Sequence, residues 1–554
     1  MPDQFHTIES EERMNMLNPP WSISDQDQTN PVPALGDLFS MAAANFPNKI
    51  AISDGKNSFT FLQLEQGAQT LAHCLQARGV MPGCIVAILA DKLAVMPLLA
   101  VAIWKCGAVY VPLDGSAPVA RLEKLMHRLQ PTMVIDVGDQ LALVAPQQWI
   151  DREQLDTILT QPALAFETRA MTPVQAAYII FTSGSTGEPK GVEISCASLI
   201  AYFGNHNQVL HFTSSSRVFS LSPFHFDVSI EDTILPLSLG AFVYQFRQVH
   251  AGAILRSVLI REKITHLIAV STLLTLMTED GRHITHKNLS HMEMVMTGAE
   301  VCDPGVINLW KSSLPQIRMI NAYGPTEATI VCLTHEIARV DLGRKTSYPI
   351  GKPLRNVAIK IVGEDGEIKE VGKSGELWVG GEQVMRGYFN QPEESGRVLI
   401  EVDGVRYYRT GDICSWDSDG NVVFQERSDD EVKINGRRIH LGEIRQLALS
   451  HAGVERAAVS VVRRNNRHVI ALVVMAESLQ IALDVEAYLQ QQLPEYMLPG
   501  VVAWSSAMSI SSSGKTDEKM LINRLNDAVK LSGSKYFALS SVGVFDSVKE
   551  KSYA

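Results

Sequence analysis

The chain has 554 residues, 46% apolar and 20% charged, with a net charge of −11 at neutral pH. That length exceeds what one hydrophobic core holds, so two or more lobes are expected. The acidic balance without a lysine/arginine run excludes nucleic acid as a main partner, the polar start at Met1–Arg13 is no signal peptide, no apolar stretch suits a membrane span, and seven scattered cysteines without a CxxC pair give neither zinc site nor disulfide framework, as in a reducing cytosol.

Residues 1–30 are polar and expected to be irregular. From about 35 to 170 helical and strand-like segments alternate: Leu62–Ala77 has helical spacing, Ile85–Leu89 is strand-like, Leu93–Cys106 helical and Ala108–Leu113 strand-like. The alternation continues to about 340, with apolar runs at 176–181, 218–221, 267–270 and 294–296, and predicts parallel sheets covered by helices. From 346 to 427 short strands (Val357–Val362, Gly375–Val379, Asn421–Gln425) between Gly, Asp and Asn turns predict a β-rich subdomain. Ser428–Glu431 is a polar break. A smaller α/β unit follows, with strands at Ala457–Val462 and Ile470–Met475 and a helix at Val485–Gln492. Ser511–Gly514 reads as a flexible loop leading to Lys515, and the last twenty-odd residues carry little signal. The expected division is a segment at 1–30, a large α/β lobe with its β-rich subdomain at 31–428, a small mobile α/β lobe at 429–525 and a tail at 526–554.

The most informative stretch follows the apolar run Ala176–Phe181. Thr182-Ser183-Gly184-Ser185-Thr186-Gly187-Glu188-Pro189-Lys190-Gly191 combines glycines, which let backbone N–H groups turn toward a guest, with hydroxyl donors and a cation. That combination suits a polyphosphate, although Lys190 after Pro189 is not the spacing of a Walker A loop. Five further segments lie downstream: Asn321-Ala322-Tyr323-Gly324-Pro325-Thr326-Glu327, Gly375–Gly381 with Arg386-Gly387-Tyr388, Tyr408–Asp412, Arg427–Gly436, and Ser513-Gly514-Lys515-Thr516-Asp517.

In this order and spacing the six segments resemble the adenylate-forming superfamily (acyl- and aryl-CoA synthetases, luciferase), and most of all the stand-alone amino-acid adenylation domains of nonribosomal peptide synthesis. The resemblance covers about Leu35 to Leu521. It implies that Thr182, Ser183, Gly184, Ser185, Thr186, Gly187 and Lys190 hold the β- and γ-phosphates of ATP. It implies that Asn321, Ala322, Tyr323 and Gly324 receive adenine, with Phe424 over its other face, that Thr326 donates to a phosphate, and that Glu327 ligates Mg²⁺. Asp412 and Arg427 would take the ribose, and Lys515 would bridge substrate carboxylate and nucleotide as the catalytic cation. Asp429 matches the hinge on which the small lobe turns between half-reactions, and Lys433 and Gly436 would line the route of an incoming thiol.

For the substrate, Asp227 in Phe224–Glu231 matches the carboxylate that pairs with an α-ammonium. Glu231, four residues on, would share its helix face, and two acids could grip the two amines of a basic or diamino acid. Val228, Ile268, Val295, Thr297, Ala322, Ile330 and Val331 complete the aligned pocket, and their small or aliphatic side chains disfavour a large aromatic substrate. One departure stands out: Cys196 replaces the histidine usual after Gly191–Ser195. Too few residues follow Lys515 for a carrier-protein domain. The resemblance therefore implies an ATP- and Mg²⁺-dependent, cytoplasmic ligase that passes its aminoacyl-AMP to the phosphopantetheine thiol of a separate carrier protein, with no nucleic-acid or membrane partner. A D-alanine–carrier protein ligase, an acyl- or aryl-CoA ligase and a degenerate nucleotide-binding homologue are the competing readings.

Overall fold

Strand–helix alternation in the first half of the chain folds into two sheets with parallel centres. The computed structural model describes residues 34–138, 148–184, 188–248, 251–465, 467–505, 518–539 and 545–548, so the expected irregular segment at 1–30 lies outside the described residues. A seven-stranded sheet runs Gly387–Tyr388, Lys190–Ser195, Ala176–Thr182, Val109–Asp114, Ile85–Ala90, Met133–Asp136 and Trp149–Ile150. A nine-stranded sheet runs Lys352–Pro353, Leu333–Glu336, Arg318–Tyr323, Met294–Gly298, His266–Val270, Arg217–Ser220, Phe242–Gln245, Ile50–Ser53 and Ser58–Thr60. Its inner strands from Arg318–Tyr323 to Ile50–Ser53 are parallel, and antiparallel strands close both edges. The β-rich stretch forms a six-stranded antiparallel sheet around the long strand Val405–Trp416.

The chain divides into two compact units. The first comprises the residues up to Gly115, with Leu129–Phe181 and Gly191–Ser428. The second comprises Ser116–Arg128, Thr182–Lys190 and the residues from Asp429 onward.

Side-chain alternation sorts each strand of the nine-stranded sheet between two cores. Ile268, Met296 and Ala322 enter one core, shared with the helices Phe61–Ala77 and Met96–Lys105. Leu267, Val295 and Met319 enter the other, around Trp310. The helix Met96–Lys105 is buried on all sides, which is why its sequence is apolar throughout rather than striped. Thr60 starts the helix Phe61–Ala77 with a capping box to Gln63, accepting from its N–H at 3.2 Å and receiving the reciprocal bond at 2.8 Å.

In the second unit a five-stranded sheet of Val454–Arg464, Arg467–Ala476, Val501–Ser505, Tyr536–Leu539 and Phe545–Val548 is flanked by three helices, Leu441–Ser450, Leu479–Gln492 and Glu518–Ser532. The helix Glu518–Ser532 buries Leu521, Leu525 and Val529 at four-residue spacing against Phe537 and Phe545. The two strands Tyr536–Leu539 and Phe545–Val548 occupy the last twenty-odd residues, whose sequence offered little signal: they are four residues each and separately too short to show a period.

Leu99, fully buried in the helix Met96–Lys105, tests the first core. Leu99→Ala is expected to destabilise the protein by about 2–5 kcal/mol, read by chemical denaturation. A loss below about 1 kcal/mol would show that the site collapses around the smaller side chain.

Candidate active site

The turn after the strand Arg318–Tyr323 is built by close backbone approach. A Cβ on Gly324 would stand 2.2 Å from Ile330 O and 2.6 Å from Val331 Cα, so only glycine fits. A 3₁₀ turn at Thr326–Ala328 follows, then two left-handed residues, Thr329 (φ 57°) and Ile330 (φ 70°). Such backbone is costly for β-branched side chains and is held here by Gln383. Thr329 Oγ1 donates to Gln383 O at 2.6 Å, and Gln383 Nε2 donates to Val331 O at 2.9 Å and Ala328 O at 3.3 Å.

Tyr323, Asp412 and Arg427 meet in one network. Strand pairing puts Asp412 opposite Arg427, whose Nη1 donates to Asp412 Oδ1 at 2.7 Å. The Tyr323 hydroxyl donates to Asp412 Oδ2, so both carboxylate oxygens are engaged and this acid is 2% exposed. Asn321 uses its amide nitrogen on Tyr348 O (3.2 Å) and Pro349 O (2.8 Å). Its amide oxygen is therefore the atom with the chemistry to meet an exocyclic amine. Phe424 is half-buried on the neighbouring strand Val422–Arg427, packed against the first core.

Glu327 is 1% exposed. Tyr388 donates to its Oε1 at 2.9 Å and its backbone carbonyl accepts from Met385 N at 2.8 Å. Asp227, 7% exposed, precedes a helical segment and hydrogen-bonds the Thr326 side chain and the Val228 N–H. Burial, opposed by these bonds and reinforced by Glu327, pushes the Asp227 carboxyl up to about 6. Among the described residues no lysine or arginine pairs with it. Thr326 thus meets Asp227, where the resemblance gave it to a phosphate; Val228 is half-buried beside them.

Glu231 is 1% exposed, but the expected α-helical face is absent, because Ile230–Ile234 is a π turn closed by Leu235 N–H to Ile230 O. Burial, then the Asp232 and Asp227 carboxylates, push Glu231 well above the usual carboxylate range. Asp232 itself accepts from Leu221 N, Ser222 N, Ser220 Oγ and Thr233 Oγ1 and is a structural acid.

Of the aligned pocket, Ile268, Ala322, Ile330 and Val331 fall together in the first core. Val295 does not join them. It lies in the second core, across the nine-stranded sheet, and Thr297 has the same parity, its hydroxyl 3.2 Å from Ser271 Oγ.

The remaining residues belong to the second unit. Ser183 Oγ donates to Arg438 O (3.1 Å) and accepts from His440 N (3.0 Å). Thr182 Oγ1 lies 3.5 Å from Lys190 O, and a Cβ on Gly184 would meet Glu188 O at 2.1 Å. Asp429 Oδ1 accepts from Glu431 N at 3.2 Å. Lys433 lies in the hairpin Glu431–Ile434/Arg437–His440, whose two-residue turn is Asn435 (φ 53°) and Gly436 (φ 72°), the Asn-Gly chemistry of a type I′ turn. Ser185, Thr186, Gly187 and Lys515 lie outside the described residues.

Sequence reasoning missed Gln383, which clamps the turn and which no local pattern marks; Tyr388, read only as part of the Arg386-Gly387-Tyr388 segment, is the hydrogen-bond partner of Glu327. At the histidine-to-cysteine departure, Cys196 is 1% exposed, its Sγ 3.8 Å from Met171 Sδ, and burial pushes its thiol up to about 12, so it packs as a small apolar side chain. The seven cysteines are all free, no helix among the described residues is long and apolar enough to cross a membrane, and no cluster of three or more His, Cys, Asp or Glu among them could hold a metal.

Residues 39–389 match the family described as AMP-binding enzyme. Tyrocidine synthase 1 of Brevibacillus parabrevis is 31% identical over 509 residues, 88% of this chain and 45% of that protein, so the chain spans less than half of this relative. The dapdiamide synthesis protein DdaD of Enterobacter agglomerans is 31% identical over 523 residues, 93% of this chain and 86% of that protein. Among solved structures, PA1221, a nonribosomal peptide synthetase protein containing adenylation and PCP domains, superposes with a TM-score of 0.78 at 25% identity, covering 89% of this chain and 84% of that one.

Because burial raises the Asp227 carboxyl, its ionisation opposes folding, and stability falls as pH rises from about 4 through about 6. Asp227→Asn is expected to be more stable than the parent at pH 7, by up to about 3 kcal/mol, with the gap closing below pH 4. Denaturation at the two pH values checks this, and a gap independent of pH would contradict it.

Proposed function

The chain belongs to the AMP-binding enzyme family; as an adenylate-forming enzyme related to the adenylation domains of nonribosomal peptide synthetases, it is one for which we propose ATP-dependent activation of an amino acid, basic or diamino, as its aminoacyl-AMP. The observation that carries this reading is Asp227, a buried carboxylate beside the Gly324–Ile330 turn whose partners among the described residues are a threonine and a backbone N–H rather than a lysine or arginine. Such a group is costly to ionise alone and is relieved by an α-ammonium. A fatty or aryl acid would bring no cation to it, which disfavours the acyl-CoA reading.

Asp412, fixed by Tyr323 and Arg427, takes the ribose hydroxyls. Adenine lies against Tyr323 with its exocyclic amine at Asn321 Oδ1, and the loop Thr182–Lys190 takes the β- and γ-phosphates. Glu327 offers the hard carboxylate oxygen that Mg²⁺ uses together with phosphate oxygens, so the residues fit that ion, whose chemistry when bound is charge neutralisation on the polyphosphate. The substrate carboxylate is already ionised and needs no general base. What remains is aligning two anions for in-line attack on the α-phosphorus, and Lys515 does this by contacting both. The second half-reaction passes the aminoacyl group to the phosphopantetheine thiol of a separate carrier protein after the small lobe, hinged at Asp429, withdraws Lys515 and brings Lys433 and Gly436 to the thiol route. PA1221 carries an adenylation and a PCP domain in one chain, which supports a carrier as acceptor.

Lys515→Ala separates the half-reactions. ATP–pyrophosphate exchange with the best amino acid of a panel should fall about 10²–10³-fold, while thioester formation from a preformed aminoacyl-adenylate persists. Equal loss of both, or exchange with none of the amino acids in the parent, would overturn the assignment.

A further inference from the structure

The segment Gly375–Gly381 with Arg386-Gly387-Tyr388 has no role in the reaction proposed above. Its last residue, Tyr388, is 6% exposed and is fixed from several directions. Gly387–Tyr388 pairs with Glu193 and Val192 as the edge strand of the seven-stranded sheet. Arg386 N donates to Glu193 O at 2.8 Å and Phe389 N to Gly191 O at 2.7 Å, so the pairing extends one residue on either side. Away from that strand, Tyr388 N donates to Ser395 Oγ at 2.8 Å, and Ser395 Oγ in turn donates to Gln391 O at 2.8 Å. The backbone of Tyr388 is thus set independently of its side chain.

That side chain reaches the turn after the strand Arg318–Tyr323. The Tyr388 hydroxyl donates to Glu327 Oε1 at 2.9 Å, across 61 residues of sequence. Two further bonds from the same stretch hold the backbone around this acid: Met385 N donates to Glu327 O at 2.8 Å, and Gln383 Nε2 to Ala328 O at 3.3 Å. A glutamate loses much rotamer freedom on ordering, and the Tyr388 bond supplies that ordering before any ligand arrives. The type of donor matters as well. Asp412, the acid proposed to meet an uncharged ribose diol, carries the guanidinium of Arg427. Tyr388 is a neutral donor, so its bond gives Glu327 direction and cancels no charge. A carboxylate has about four lone-pair sites, and one O–H does not exhaust them.

We propose that Tyr388 is a positioning residue for the metal acid: it presents the Glu327 carboxylate to the Mg²⁺ carried by the bound nucleotide. This rests on the reaction proposed above, in which Glu327 takes that ion. Carboxylates that ligate metals are as a rule hydrogen-bonded themselves, and removing the outer partner lowers metal affinity about 10–100-fold. Tyr388 thus acts through Glu327, and its effect is confined to the metal-bearing nucleotide.

The test uses the full chain, with Mn²⁺ as a paramagnetic stand-in for Mg²⁺, titrated in saturating α,β-methylene ATP and read by electron paramagnetic resonance. Tyr388→Phe removes the hydroxyl alone and should weaken Mn²⁺ binding about 10–100-fold, while calorimetry without metal finds the affinity for AMP unchanged. Glu327→Gln should weaken Mn²⁺ at least as much, and adding Tyr388→Phe to it should cost little more, the non-additivity of two groups that act as one. In ATP–pyrophosphate exchange Tyr388→Phe should raise the Mg²⁺ concentration needed for half-maximal rate, with kcat recovered in excess Mg²⁺. Loss of AMP affinity together with Mn²⁺ affinity, or a kcat that excess Mg²⁺ does not restore, would mark a purely structural role and overturn the proposal. Unchanged Mn²⁺ affinity in Tyr388→Phe beside a weakened Glu327→Gln would overturn it and leave Glu327 as the metal acid. Mn²⁺ affinity indifferent to Glu327→Gln would overturn the reading of Glu327 as well.

Discussion

Two buried carboxylates of the first unit, Asp227 and Glu231, have no lysine or arginine paired with them among the described residues, and that is the constraint on which the reading of the site depends. Burying an acid is tolerable when donors or a counter-ion replace water. Asp232, in the same segment, shows the structural solution, with four donors around one carboxylate. Asp227 has a partial solution in Thr326 and the Val228 N–H, and Glu231 one in Tyr202, with His206 Nδ1 3.2 Å from its Oε1. A graded series of this kind in one short stretch separates scaffold from site. In the proposed reading, the acid that folding needs is satisfied by the fold, and those that a ligand would need are left for it.

The nucleotide half of the site rests on the opposite principle. Asp412 is fully engaged before any ligand arrives, by Arg427 across a strand pair and by the Tyr323 hydroxyl. Its oxygens are thereby fixed in direction, which is what recognition of a vicinal diol requires. Tyr323 and Asp412 come from different sheets, 89 residues apart in sequence, so the network also ties the β-rich subdomain to the nine-stranded sheet. Gly324 and the left-handed Thr329 and Ile330 bring the pocket-side residues Ile330 and Val331 back over the end of the same strand. In the proposed reading, the geometry that would form the adenine shelf would also form one wall of the amino-acid pocket.

Much of the architecture was legible because periodicity and turn chemistry are local. The helix at Phe61–Ala77, the strands at Ile85–Ala90 and Ala176–Thr182 and the antiparallel subdomain fall where spacing put them. The last two strands, Tyr536–Leu539 and Phe545–Val548, were silent because four-residue strands show no period. For the site, the Tyr323, Glu327, Asp412 and Arg427 motifs were readable as a family pattern, but their contacts were not. Nothing in the sequence says that Gln383 clamps residues 328–331, that Val295 faces the opposite core from Ala322, or that Tyr202 and His206 stand behind Glu231. Those facts depend on strand parity, on a π turn and on helix placement, each set by tertiary packing.

The central claim, that buried acids await substrate cations, is tested most directly by proton counting. Calorimetric titration of the protein with a non-hydrolysable 2,4-diaminobutyryl sulfamoyl adenosine, in buffers of different ionisation enthalpy at pH 7, reports protons exchanged on binding. Glu231, whose carboxyl burial holds above the usual carboxylate range, should lose its proton on meeting the incoming ammonium, so the binding enthalpy should vary with the buffer, and Glu231→Gln should weaken that dependence. A ligand that does not bind, or binds with an enthalpy indifferent to the buffer, would contradict the account.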